Sequence, residues 1–131
     1  MRLLLDTHVF LWWCADDAQL GQAERAVIRD GSNEVFLSAA SVWEMAIKQA
    51  LGRLEIPEPA SAAVERLGIQ AVPVGFEHAE ATLRLPPIHR DPFDRLLLAQ
   101  AMIEGLTLVT HDPIVRSYPG VAFLPISPSH P

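Results

Sequence analysis

The stretch His89-Arg90-Asp91-Pro92-Phe93-Asp94-Arg95-Leu96-Leu97-Leu98-Ala99-Gln100-Ala101-Met102 contains a helix start and, one turn into it, a charge on the wrong side. Asp91 reads as the N-cap, and Pro92 suits the first helical position, where no amide donor is needed. At about 100° per residue, Asp94 falls on the same side as Leu97, Leu98, Ala101 and Met102. A carboxylate leading an apolar stripe points inward, where an unpaired charge is expensive. One explanation is local: Asp91 accepts from the amide of Asp94, and the Asp94 carboxylate bonds back. The other is that Asp94 meets further acids brought in from elsewhere in the chain.

Upstream, Leu3-Leu4-Leu5 is a short apolar run ended by Asp6-Thr7. A continuous run of this kind fits a central parallel strand covered on both faces. His8 to Cys14 is strongly hydrophobic, and Trp12 and Trp13 within it read as core or interface rather than as a base-stacking platform. Leu20, Ala23, Val27 and Ile28 predict a surface helix within Asp16–Asp30, stopped by Gly31. Glu34–Leu37 is a second strand. Ser38 or Ser41 then starts a helix that carries Glu44 and ends near Gly52. Glu44 has local explanations of its own, a capping box with Ser41 and an i,i+4 pair with Lys48.

A weak helix is expected over Ala60–Leu67 and a strand over Ile69–Val74. A helix over Phe76–Leu85 should place Ala79 and Leu83 on one face. His78-Ala79-Glu80 is half of a zinc deaminase signature without its cysteine half, and carries no weight. Downstream of the opening stretch, Gly105 stops the helix and Leu106–Thr110 forms a strand, followed by His111-Asp112-Pro113. A short helix from Pro113 to about Tyr118 and an edge strand over Val121–Leu124 complete the pattern. Residues 1–124 read as one domain and 125–131 as a flexible tail.

Alternating strands and helices predict an α/β domain with a mainly parallel sheet. Half of the 131 residues are hydrophobic and 20% are charged, as suits a globular chain. No apolar run reaches membrane-spanning length, and the first strand leaves no room for a signal peptide. The single cysteine, Cys14, excludes an internal disulfide and a cysteine-based zinc framework, so a cytoplasmic location is expected. The net charge of −6 is adverse for a nucleic-acid partner unless acids are gathered around cations.

In parallel sheets, sites form beyond the C-terminal ends of the strands. Asp6 and Asp112 directly follow strands, and Glu44 and Asp94 lie in the first turns of helices, so all four can reach one sheet edge. Two like charges about 5 Å apart repel by roughly 3 kcal/mol at an effective dielectric near 20. Four together require cations or protons, and removing the charge of Glu44 or Asp94 should relieve the repulsion. An all-oxygen site favours magnesium or manganese over zinc. Such ions activate water and stabilise charge on a phosphodiester, which makes phosphodiester hydrolysis the reaction the chemistry suggests. His8 and His111 read as neighbours of this site or as surface residues.

Leu4-Leu5-Asp6-Thr7-His8, Ser38-Ala39-Ala40-Ser41-Val42-Trp43-Glu44, Asp91-Pro92-Phe93-Asp94-Arg95 and Thr110-His111-Asp112 together resemble the successive motifs of PIN-domain nucleases. The likeness is greatest to VapC toxins of VapBC toxin–antitoxin pairs, and it runs through nearly the whole chain in order. It implies a PIN-like five-stranded parallel sheet flanked by helices. It also implies a Mg2+-dependent endoribonuclease, with Mn2+ as a possible substitute, that acts on RNA and is inhibited by a cognate VapB-like antitoxin. By motif match, Asp6, Glu44, Asp94 and Asp112 are the metal-site and catalytic acids, and Thr7 and Thr110 orient them. His111 departs from the small polar residue many relatives carry, so Asp112 can act directly or through water. The apolar surface of Val9, Phe10, Trp12 and Trp13 predicts a homodimer or an antitoxin contact. A haloacid dehalogenase-type enzyme would need a second Asp where His8 stands. A receiver domain would need a later lysine, and Lys48 is the only one. A catalytically silent PIN-fold module, or a PIN nuclease that is not a toxin, is the alternative reading.

Overall fold

The computed structural model describes residues 1–126, so residues 127–131 of the expected tail lie outside the described residues. The strands are β1 (Arg2–Leu5), β2 (Glu34–Ser38), β3 (Gln70–Val72), β4 (Thr107–Val109) and β5 (Ala122–Phe123). The helices are α1 (Thr7–Ala15), α2 (Gln22–Arg29), α3 (Ala39–Ala50), α4 (Ala60–Leu67), α5 (Phe76–Ala81), α6 (Pro92–Glu104) and α7 (Pro113–Arg116). All five strands pair in parallel, in the order β3-β2-β1-β4-β5. The expected five-stranded α/β architecture is therefore the one observed.

The apolar runs are explained by burial on both faces of the sheet. Leu3, Leu4 and Leu5 are all 0% exposed. Side chains alternate across a strand, and here Leu3, Leu5, Val35, Leu37 and Val109 join one core with Val9, Phe10, Ile28 and Met45. Leu4, Phe36 and Leu108 join the other with Leu97, Leu98, Ala101 and Tyr118. Helices α1–α4 thus cover one face and α5–α7 the other. From β1 the chain builds outward through β2 and β3, then returns to add β4 and β5 on the opposite side. The order reverses between β1 and β4, and a crevice opens there at the strands' C-terminal ends.

Helix α6 has the expected ends: Asp91 accepts from the amides of Phe93 and Asp94, Pro92 follows, and Gly105 caps the C-terminus at φ 64°. Met102 departs from the predicted buried stripe and is 46% exposed. Eight residues carry it about 80° round the helix from Asp94, off the sheet.

Three further expectations are corrected. The helix within Asp16–Asp30 starts only at Gln22, because Asp16 adopts φ 52° and ends α1, its amide donating to the carbonyls of Trp12 and Trp13. Helix α5 stops at Ala81 and tightens into a 3-10 turn over Thr82–Arg84. Its buried side is His78, Ala81 and Leu85, not Ala79 and Leu83, and Leu83 is 89% exposed. Val9 and Phe10 are enclosed within the chain, at 0% and 2% exposure, while Trp12 and Trp13 are half-buried against the same core. Among the described residues, no helix is long and apolar enough to cross a membrane.

Candidate metal centre

Beyond the C-terminal ends of β1 and β4 lies a cavity of about 160 Å³ lined by Asp6, Thr7, His8, Glu44, Lys48, His89, Asp91, Asp94 and Asp112. The four acids singled out from sequence therefore share one cavity, although up to 106 positions separate them.

Each acid is delivered by a local rule of chain geometry. Asp6 follows the central strand and N-caps α1, its Oδ1 accepting from the amide of Val9 at 2.8 Å. Asp112 N-caps α7, its Oδ1 accepting from Ile114 at 2.8 Å and Val115 at 3.4 Å. Its own amide donates to Thr110 Oγ1 at 3.1 Å. Thr110 also bonds to Asp6, so this threonine links the ends of the two strands to both acids.

Ser38, not Ser41, N-caps α3 and accepts from the amide of Ala40. That choice removes the Ser41–Glu44 capping box and leaves Glu44 a turn and a half inside the helix. There Glu44 is fully engaged: Thr7 Oγ1 donates to its Oε1 at 2.6 Å and Lys48 Nζ to its Oε2 at 2.9 Å. The i,i+4 pair anticipated from sequence is present, and it neutralises this wall of the cavity.

The opposite wall gathers its acids around one imidazole. Asp94 does not bond back to Asp91; its Oδ2 faces His89 Nε2 at 2.8 Å. Burial pushes the Asp94 carboxyl up from 3.8 to about 6, although the bond to His89 pulls it down, and Asp91 and Asp6 add repulsion. Burial likewise raises the Asp6 carboxyl, against the bonds from Thr110 and Val9. Asp6 is buried and Asp94 partly so, and a cation beside them would favour the charged forms that burial disfavours. The spacing fits as well: one donor atom each from His89, Asp94 and Asp112 lie within 4.8 Å of one another.

His89 was missed from sequence. Its one signal was position, five residues before Asp94 after the stiff Pro86-Pro87. His111 turns away from the cavity, with Nε2 3.2 Å from Glu24 and its ring edge-on to Trp12 at 5.2 Å. His8 is exposed at the rim.

Known proteins share sequence and fold with this chain. A family model described as PIN domain matches residues 3–121. Ribonuclease VapC22 of Mycobacterium tuberculosis (strain ATCC 25618 / H37Rv) is 32% identical over 119 residues, covering 88% of this chain and 91% of that protein. Ribonuclease VapC16 of the same organism is 41% identical over 64 residues, covering 46% and 44%. Among solved structures, VapBC2 from Rickettsia felis, bound to a DNA fragment from its promoter, superposes with TM-score 0.69 at 13% identity, covering 95% of this chain and 98% of that one. DNA-bound VapBC from Salmonella typhimurium superposes with TM-score 0.68 at 17% identity, covering 95% and 97%.

Proposed function

The chain belongs to the PIN-domain family, among the VapC ribonucleases, and from that premise we propose that it is a divalent-metal-dependent endoribonuclease acting as the toxin of a toxin–antitoxin pair. The observation that carries this reading is the convergence of Asp6, Asp94 and Asp112, with Glu44 across from them, in one cavity at the switch point of the sheet.

Asp6, Asp94 and Asp112 are the residues to hold Mg2+ or Mn2+, and Glu44 completes the acidic set. A divalent cation in that position lowers the pKa of a water and stabilises charge developing on a phosphodiester. Asp6 and Asp112 each spend one oxygen on a helix cap, which holds the carboxylate rigid at the cavity. Thr110 keeps the two strand-end acids in register. Lys48 neutralises Glu44, so this wall adds no net negative charge against an arriving RNA phosphate. Water attacks phosphorus, the P–O3′ bond breaks, and the 3′ oxygen leaves and takes up a proton. The products are 5′-phosphate and 3′-hydroxyl ends.

The test is cleavage of single-stranded and structured RNA by purified protein with Mg2+ or Mn2+. Cyclic phosphate ends, or full activity in excess chelator, would exclude the mechanism. Absence of cleavage with every divalent ion, despite metal binding, would favour the catalytically silent module.

Two partners follow from the surface. Val42, Trp43, Ile47 and Leu51 form an exposed apolar stripe along α3, which supports a homodimer that uses α3 in place of α1. An apolar groove of about 230 Å³, walled by Phe10, Leu11, Trp12, Leu54 and Ile56, offers a seat for an antitoxin segment. A VapB-like antitoxin would continue from there to present a basic side chain to the acids. Sedimentation of the parent and of Trp43→Glu tests the first: the parent should be dimeric and the variant monomeric.

A further inference from the structure

Resting on the reading above, we propose that His89 is itself a ligand of the cation, through Nε2. The site is then a mixed nitrogen–oxygen centre that takes Mn2+ and later transition ions ahead of Mg2+.

The backbone of His89 is held in place from outside the cavity. The backbone amide of His89 donates to Tyr118 Oη at 2.7 Å. Its carbonyl accepts from Arg95 Nη1 at 3.4 Å. The same guanidinium donates to the carbonyls of Pro86 at 2.9 Å and Thr82 at 2.7 Å, and to Tyr118 Oη at 3.2 Å. Arg95 therefore clamps the loop before α6 onto the helix. This effort fixes a residue whose side chain otherwise only meets acids of the cavity.

Its Nε2 lies 2.8 Å from Asp94 Oδ2 and 3.9 Å from Asp112 Oδ2. Ligands about 2.1 Å from one octahedral ion stand about 3 Å apart when adjacent and about 4.2 Å apart when opposite. Both separations fall within the roughly 4.2 Å that two ligands of one such ion can span. For Nε2 to bind, the ring proton would sit on Nδ1 and the imidazole would turn off the 2.8 Å line to Asp94 Oδ2, so that nitrogen and carboxylate face the ion side by side.

An imidazole ligand tilts selection. Mg2+ prefers oxygen donors, whereas the affinity of nitrogen-containing sites rises from Mn2+ onward through the first-row series. A second His–acid group, Glu77, His78 and Glu104, has similar spacing but cannot serve. His78 Nδ1 accepts from the amide of Gly75 at 2.9 Å, so Nε2 must keep its proton for Glu104.

The experiment is Mn2+ titration of the chelator-stripped full chain, read by pulsed electron paramagnetic resonance and by calorimetry. Parent, His89→Gln, His8→Gln and Asp94→Asn are compared, each checked for an unchanged circular dichroism melt in chelator or a shift that leaves it folded. The expected result is a nitrogen coupling to Mn2+ in the parent and in His8→Gln, lost in His89→Gln. Mn2+ affinity should fall about tenfold or more in His89→Gln, since even an indirect contact to a ligand is worth that much. Mg2+ affinity should change far less. Mn2+ binding that Asp94→Asn abolishes but that shows no nitrogen coupling in the parent, or a coupling that survives in His89→Gln, would overturn the His89 assignment and leave the carboxylate site standing. No Mn2+ binding in the parent would overturn both.

Discussion

The two ends of α6 carry the same chemical pair in opposite roles. At its C-terminal end, His78 packs against Glu104 at 2.9 Å; at its N-terminal end, His89 meets Asp94 at 2.8 Å. His78 is 4% exposed, and both its ring nitrogens are committed, one to the Gly75 amide and one to Glu104. That pair is a clasp between α5 and α6. His89 instead faces a cavity with a second carboxylate, Asp112, and stands among acids that burial draws toward protonation. What separates a clasp from a site is therefore whether the surrounding charges are already balanced. A histidine next to an acid does not decide it.

The largest difference should appear in catalysis. Asp94→Asn is expected to lower RNA cleavage by about 100-fold or more, the scale of losing one group that stabilises a transition state. Glu104→Gln should stay within about twofold. Comparable losses in both, measured as kcat/KM on one RNA, would erase the distinction.

Stability should reverse the order. His78→Leu leaves the part-buried Gly75 amide without its acceptor, at a cost of about 1 kcal/mol in urea unfolding. His89→Leu should cost less than that in chelator, because its pair lines a water-accessible cavity.

Acid should act on the site end through Asp94. The Asp94 carboxyl titrates at about 6 in the fold against an ordinary 3.8, so its contribution to stability is fully present below the ordinary value and is lost as pH rises through about 6. Metal-free protein should therefore gain about 1 kcal/mol from this group between pH 7 and pH 5. The gain should vanish in Asp94→Asn, which in chelator at pH 7 should be more stable than the parent. Millimolar Mg2+ should stabilise the parent and do less for the variant.

The smallest effect divides the site itself. The Glu44 charge is met by Lys48 and Thr7, so Glu44→Gln should destabilise by about 0.5 kcal/mol or less in chelator. Asp94→Asn should move the opposite way. This departs from the expectation that removing either charge relieves repulsion. Equal and stabilising shifts in both variants would restore it.

What the sequence determined by itself is local. Asp91, Pro92 and Gly105 mark the ends of α6 because capping satisfies groups within a turn of the cap. The run Leu3-Leu4-Leu5 marks a central strand because burial on both faces leaves no polar alternation. The motifs around Asp6, Glu44, Asp94 and Asp112 were likewise legible, as was the strand–helix alternation that takes all four acids toward one edge.

The tertiary structure decided the rest. Pairing of β1 with β4, across about a hundred residues, sets Asp6 beside Thr110 and Asp112, and no local window encodes that register. The partner of Asp94 is likewise settled by the Arg95 clamp on the preceding loop, which turns His89 inward where a capping box was the local choice. Glu44 is met by the ammonium of Lys48 and Asp94 only by the imidazole of His89, because charge balance depends on everything that packs around a carboxylate, whereas periodicity and caps report only its nearest neighbours along the chain.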